Sequence, residues 1–235
     1  MSGMTSDTRT DGRAARQRVT LPGLMLALTF ATGIVDAVGY LRLDQVFAGN
    51  MTGNVVILGM AATGQTELSV LGPVVALFSF LAGAALAGRA LRTAVPHWSR
   101  RCAGLLGAVG LLLAATALGM ATTGVGTPAA RVLMAFSLAL AMGTQAATAR
   151  HLDVKDVSTV VVTSTLTGLA ADSRLAAARG QRALRRGAAV LLIAAGAVTG
   201  AALCQVHEGV AVVVAALVVL AVTGLGHTAS TGGDR

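Results

Sequence analysis

Residues 33–62, GIVDAVGYLRLDQVFAGNMTGNVVILGMAA, set an acid and a knot of polar residues inside a chain that is otherwise mostly Ala, Leu, Val and Gly. Asp36 falls near the end of one apolar run, residues 21–41, and Asn50-Met51-Thr52-Gly53-Asn54 opens the next. The apolar half of that second run, about nine residues, spans roughly 13 Å as a helix, or half of a hydrocarbon core of about 30 Å. A half-helix that begins polar and ends apolar is therefore expected within residues 46–63, since a full crossing needs about 20 apolar residues.

The composition places this stretch in a membrane. Of 235 residues, 54% are hydrophobic and only 12% charged, against about a quarter charged in soluble domains. The mean hydropathy is +0.74. The formal charge of +8 would suggest a nucleic-acid partner in a soluble protein. Here the arginines lie in loops between apolar runs without interleaved aromatics, so they read as topology determinants, and the lipid bilayer is the expected partner. Cys102 and Cys204 lack any CxxC spacing, and His97, His151, His207 and His227 have no ligand spacing. Neither disulfide, metal nor other cofactor is expected. The absence of a nucleophile elbow, a P-loop or a metalloprotease motif argues against an enzyme.

Outward from the opening stretch, residues 1–20 are polar, with Arg9, Arg13, Arg16 and Arg18, and read as a disordered cytoplasmic tail before a retained first helix. Downstream, membrane-length runs are expected at 70–91, 102–123, 129–149, 187–203 and 209–225, with a polar tail at 227–235. A second short run, 157–171, is rich in hydroxyls, including Thr163, Ser164, Thr165 and Thr167. The two short runs align without gaps when Thr52 is set on Thr163, which also sets Leu58 on Leu169. Each half, residues 21–124 and 129–226, then reads long span, charged turn, short polar run, long span, long span.

Loop charges test the orientation. If all eight runs crossed with the N-terminus inside, the loop carrying Arg89, Arg92, Arg100 and Arg101 would lie outside, against the positive-inside rule. If the two short runs dip in and return, that loop, the N-terminal tail and the loop with Arg174, Arg179, Arg182, Arg185 and Arg186 all lie inside. The expected fold is then an all-α polytopic membrane protein with about six transmembrane helices and two short re-entrant or broken helices. Three spans per half make it an inverted three-plus-three repeat, a plan recurrent in transporters. Both termini are expected in the cytoplasm.

The motifs G-x-V-D-A at residues 33–37, V-F at 46–47 and M-T-G-N-x-V-x-L-G at 51–59 resemble the YoaK-type family of bacterial integral membrane proteins. Residues 159–170 resemble its T-x-x-x-T-x-T-L-T-x-L-A pattern, with Ser164 where glycine is expected. Residues 143–147, GTQAA, resemble a glycine-glutamine-asparagine-alanine segment, with Ala146 in place of asparagine. The resemblance covers most of residues 21–226. It implies about six spans and no biochemical activity, because the family is one of unknown function.

Candidate site residues follow from the cost of polarity in lipid. An acid within a span costs about 2.5–3.5 kcal/mol on insertion scales, so Asp36 is expected at a cavity, as a proton, cation or solute contact, or else paired with Arg42. If Asn50 or Thr52 caps a half-helix starting near Asn54, its unpaired amides point into the membrane, and Gly53 permits close approach. Thr163, Ser164, Thr165 and Thr167 would present the matching start from the other side, favouring a small polar or anionic solute. Gln145 faces the same region by the alignment, or else is bonded between helices. Gly104, Gly107, Gly110 and the pair Gly196 and Gly200 suggest small-residue helix contacts, within the chain or in a homo-oligomer. These readings make a small transporter or channel-like permease the leading expectation. A non-transporting assembly or sensor protein is the alternative.

Overall fold

The computed structural model describes residues 7–64, 68–152, 165–167, 170 and 183–231. The elements are α1 (Asp7–Arg42), α2 (Met51–Ala61), α3 (Leu71–Leu91), α4 (Arg100–Thr123), α5 (Pro128–His151), α6 (Ala183–Cys204) and α7 (Glu208–Thr231). Six of these are long and apolar enough to cross a membrane, and α2 is a shorter apolar helix. At 1.5 Å per residue the 11 residues of α2 reach about 16 Å, half a bilayer, as its sequence predicts. The second short run lies outside the described residues except for Thr165–Thr167 and Ala170.

Local signals set the helix ends. Ser99 Oγ accepts from Cys102 N at 3.3 Å to start α4. Thr127 Oγ1 accepts from Ala130 N at 3.2 Å, ahead of Pro128, to start α5. Two helices outrun their apolar segments. α1 begins at Asp7, inside the segment expected to be a disordered tail, because Ala, Arg and Gln favour helix there and no proline intervenes before Pro22. α7 runs to Thr231, where Thr228 Oγ1 and Ser230 Oγ donate to carbonyls three residues back, at 3.0 and 2.8 Å.

α1 and α5 are the most enclosed helices, and α6 is the most exposed. Met25, Leu28, Ile34, Leu106, Leu113, Leu138 and Met142 fill the interior, while Phe78, Leu111, Leu118, Leu191 and Leu217 point outward. That inversion of the soluble pattern is what a lipid solvent dictates.

The closest packing is α1 on α6 and α3 on α5. Both crossings are built on two glycines, and both have the same geometry. A Cβ at Gly33 would strike the carbonyl of Ile193, and one at Gly196 the carbonyl of Phe30. In the other pair, Gly83 sits on the carbonyl of Leu140 and Gly143 on that of Phe80. Each glycine thus lies against the carbonyl three residues before its partner glycine. Such backbone contact replaces the hydrophobic drive that lipid removes. Gly200 extends the first crossing against Ile34, so the Gly196 and Gly200 pair is spent within the chain. Gly110 packs on Leu220 of α7, and nothing approaches Gly104.

Candidate functional site

The site begins with a reversal of the chain. Asp44 and Gln45 adopt left-handed backbone, with φ of 58° and 62°, a conformation that costs L-residues roughly 1–2 kcal/mol each. Gly39 O accepts from both Leu43 N at 3.1 Å and Val46 N at 3.2 Å, which folds the turn onto the end of α1. A Cβ at Gly39 would collide with the carbonyl of Val46. The turn is thus sent back along α1, and residues 47–50 run beside Asp36.

Asp36 holds this returning segment. Its Oδ1 accepts from Gly49 N at 2.7 Å, and the amides of Ala48 and Asn50 also face the carboxylate. The acid therefore serves the start of α2 from across the turn. Here the structure corrects two expectations. α2 starts at Met51, not near Asn54, and neither Asn50 nor Thr52 caps it, since the N-cap Asn50 makes no side-chain cap bond and both residues are exposed. Nor does Asp36 pair with Arg42. That guanidinium donates to Cys204 O and lies 3.8 Å from Glu208, at the start of the neighbouring α7.

Asn54 is fully enclosed and fully bonded. Its Oδ1 accepts from Phe47 N at 2.9 Å and its Nδ2 donates to Phe47 O at 2.7 Å, the pairing of one peptide group with another. Gly53 is required beside it, because a Cβ there would meet the Phe47 ring at 2.5 Å. The ring also packs on Tyr40, with centroids 5.2 Å apart. Within the M-T-G-N motif, Gly53 and Asn54 tie down the loop, and Thr52 remains exposed.

Gln145 reaches α1 one turn below Asp36. Its Nε2 donates to Thr32 Oγ1 at 3.0 Å and lies 3.4 Å from Leu28 O. The hydroxyl proton of Thr32 is already given to Leu28 O at 2.9 Å, so Thr32 can only accept from the amide, and this fixes the amide's orientation. Gln145 Oε1 then has no hydrogen-bond partner among the described residues, although the side chain is only 1% exposed. Thr29, Thr32 and Asp36 are all buried and, at spacings of three and four residues, line one face of α1. Gly49 joins the two groups, since a Cβ there would lie 2.7 Å from Thr32 Cγ2 and 3.5 Å from Asp36 Oδ1.

The structure thus brings Asp36, the residue 50–54 knot and Gln145 into one neighbourhood along the C-terminal half of α1. Thr165 is buried and Thr167 exposed, while Thr163 and Ser164 lie outside the described residues. Sequence reasoning misses Thr29, Thr32 and the amides of residues 48–50; the hydroxyl spacing ahead of Asp36 is the available signal. It also misses the ion pair of Arg131 at the start of α5 with Asp44, 3.0 Å apart, which ties the turn to the second half of the chain.

A bundle of six membrane-length helices, with a half-length helix anchored to a buried acid, defines a multi-pass α-helical membrane protein. Residues 24–225 match the family described as "Protein of unknown function (DUF1275)", and the chain belongs to that family. It is 32% identical over 163 residues to the "UPF0700 transmembrane protein YoaK" of Bacillus subtilis (strain 168), covering 68% of each chain. No solved structure matches.

Proposed function

We propose that this protein is a small transporter or channel-like permease of the bacterial inner membrane. In this reading it moves a small polar solute past Asp36, Thr52, Gln145 and the 163–167 cluster, and performs no enzymatic reaction. The observation that carries it is the buried polar face of α1 (Thr29, Thr32 and Asp36), which continues onto Gln145 of α5 in a bundle whose interior is mostly Leu, Ala and Val. Polar groups at that depth are costly and mark solute or proton paths. Asp36 would contact the solute or carry a coupling proton.

The inverted-repeat plan is supported by the two glycine crossings. Pairing Gly33 with Gly143 and Gly83 with Gly196 superimposes α1 on α5 and α3 on α6, close to the register that sets Thr52 on Thr163 in the sequence. Exchanging the halves also maps α1 against α7 onto α5 against α4, both of which pack. In this plan the tight pairs α1 with α6 and α3 with α5 each draw one helix from either half. α1 and α5 meet only briefly between them. That seam is where a path would open. The amides ahead of α2 are already engaged by Asp36, which favours a neutral or positively charged solute over an anion there. The loop charges favour cytoplasmic termini.

A second reading, a non-transporting assembly or sensor protein, is favoured by Asn54, whose hydrogen bonds are spent on Phe47 and Met51. Solute flux into proteoliposomes separates the two. Transport predicts uptake of at least one member of a broad panel of small polar solutes, reduced tenfold or more by Asp36→Asn and less by Thr52→Val. No uptake across the panel would favour the second reading. Thiol labelling of Gln65→Cys from outside and Ser99→Cys from inside tests the re-entrant topology, and the reverse pattern would restore eight crossings.

A further inference from the structure

Two buried groups beside α1 lack what their chemistry calls for. Asp36 is 8% exposed, and its bonds come from backbone amides alone. Among the described residues it has no ion-pair partner, since Arg42 turns to Glu208 and Arg131 to Asp44. A buried carboxylate in a membrane span is ordinarily matched by a positive charge. Gln145 Oε1, in the same neighbourhood, is an enclosed acceptor without a donor among the described residues. Buried acceptors of this kind are rare and need a ligand, a water or an ion.

Along this stretch of α1 the side chains at the seam with α5 offer oxygen acceptors: the Asp36 carboxylate, the Gln145 carbonyl and, one turn below Asp36, the Thr32 hydroxyl, whose proton is already donated to Leu28 O. Hard oxygen ligands with one negative charge among them match a small monovalent cation in both charge and chemistry. A divalent ion would draw on more carboxylates. An anion would meet no side-chain donor among these groups, because the Gln145 amide protons point to Thr32 and Leu28.

We propose that Asp36, Thr32 and Gln145 form a binding site for a small alkali-metal cation of sodium size at the seam between α1 and α5. The site deepens the permease reading by naming its charged cargo or coupling ion, and it rests on that reading only for the step from binding to movement. Residues on both sides of the seam contribute, so an ion held there bridges the pair α1 with α6 to the pair α3 with α5. The bound ion would draw these two units together, and its departure would loosen the brief contact between them.

The test uses the full-length protein in detergent, with thermal unfolding followed in sodium, lithium, potassium or choline chloride at constant ionic strength. Replacing choline by sodium is expected to raise Tm by about 3–6 °C once sodium is tenfold above its half-maximal concentration. The rise should saturate, persist in Ser79→Ala, and vanish in both Asp36→Asn and Gln145→Met. Equilibrium binding of radioactive sodium to the unaltered chain gives the same answer without a substitution. Absence of both sodium binding and any alkali-cation effect on the unaltered protein would overturn the site, as would a sodium shift that survives Gln145→Met. Sodium binding without solute flux would uphold the site and count against the permease. Flux indifferent to sodium, from a protein that binds none, would do the reverse.

Discussion

Asn54 and Gln145 are both buried amides in membrane helices, yet they are used in opposite ways. Asn54 spends both ends of its amide on the backbone of Phe47 and leaves nothing over. Gln145 donates to Thr32 and keeps its carbonyl unpartnered among the described residues. One amide closes a loop inside a single half of the chain, and the other meets α1 from the opposite half. Polarity in lipid therefore has two uses here, and hydrogen-bond completeness distinguishes the fastening from the site.

The largest test of that contrast is Asn54→Ala. It strands the amide and carbonyl of Phe47, each costing about 1–3 kcal/mol when left unsatisfied. A loss of roughly 2–5 kcal/mol in unfolding by denaturing detergent is expected, with collapse of the residue 47–50 loop. A near-neutral result would remove the structural role assigned to Asn54.

Asp36→Asn should be milder, at about 1–3 kcal/mol, because the asparagine oxygen can still accept from Gly49 N while its NH2 cannot accept from the other amides that face the carboxylate. Gln145→Met should fall within about 1 kcal/mol of the parent. It removes the bond to Thr32, but also the unpartnered oxygen, and it preserves volume. A loss as large as that of Asn54→Ala would mean that Gln145 is fastened after all. The smallest effect belongs to Arg131→Ala. Its pair with Asp44 is partly exposed, and such pairs contribute about 0–1 kcal/mol.

The architecture is largely legible in the sequence. Long apolar runs locate six spans, and the switch from polar to apolar within residues 46–63 locates a half-length helix. The partner of each polar group is not legible there. Proximity along the chain suggests Arg42 for Asp36, but the left-handed turn at Asp44 and Gln45 brings the Gly49 amide to Asp36 instead. Arg42 reaches Glu208, far along the chain. The polar knot sets the start of α2 too late because no side chain of the knot caps the helix, and Asp36 of α1 holds the backbone of residues 48–50 just ahead of it. Thr29 and Thr32 give no signal of their own, since hydroxyls in helices usually bond their own turn, as both do here. Only their alignment with Asp36 and the approach of Gln145 give them a role. The glycines read as contacts, but nothing in the sequence says that Gly33 meets α6 and Gly83 meets α5.

The central claim, that the seam between α1 and α5 opens to water, can be tested without knowing the solute. Cysteine is placed at Thr32 or, as a control, at Ala135, an equally buried but apolar site on α5, after Cys102 and Cys204 are replaced by alanine. Membrane vesicles are then treated with a small, positively charged, water-soluble thiol reagent. Opening of the seam predicts that Thr32→Cys is modified at least tenfold faster than Ala135→Cys, and that sodium slows the reaction. Equal and negligible modification at the two positions would contradict it, and the polar face of α1 would then be a fastening like Asn54.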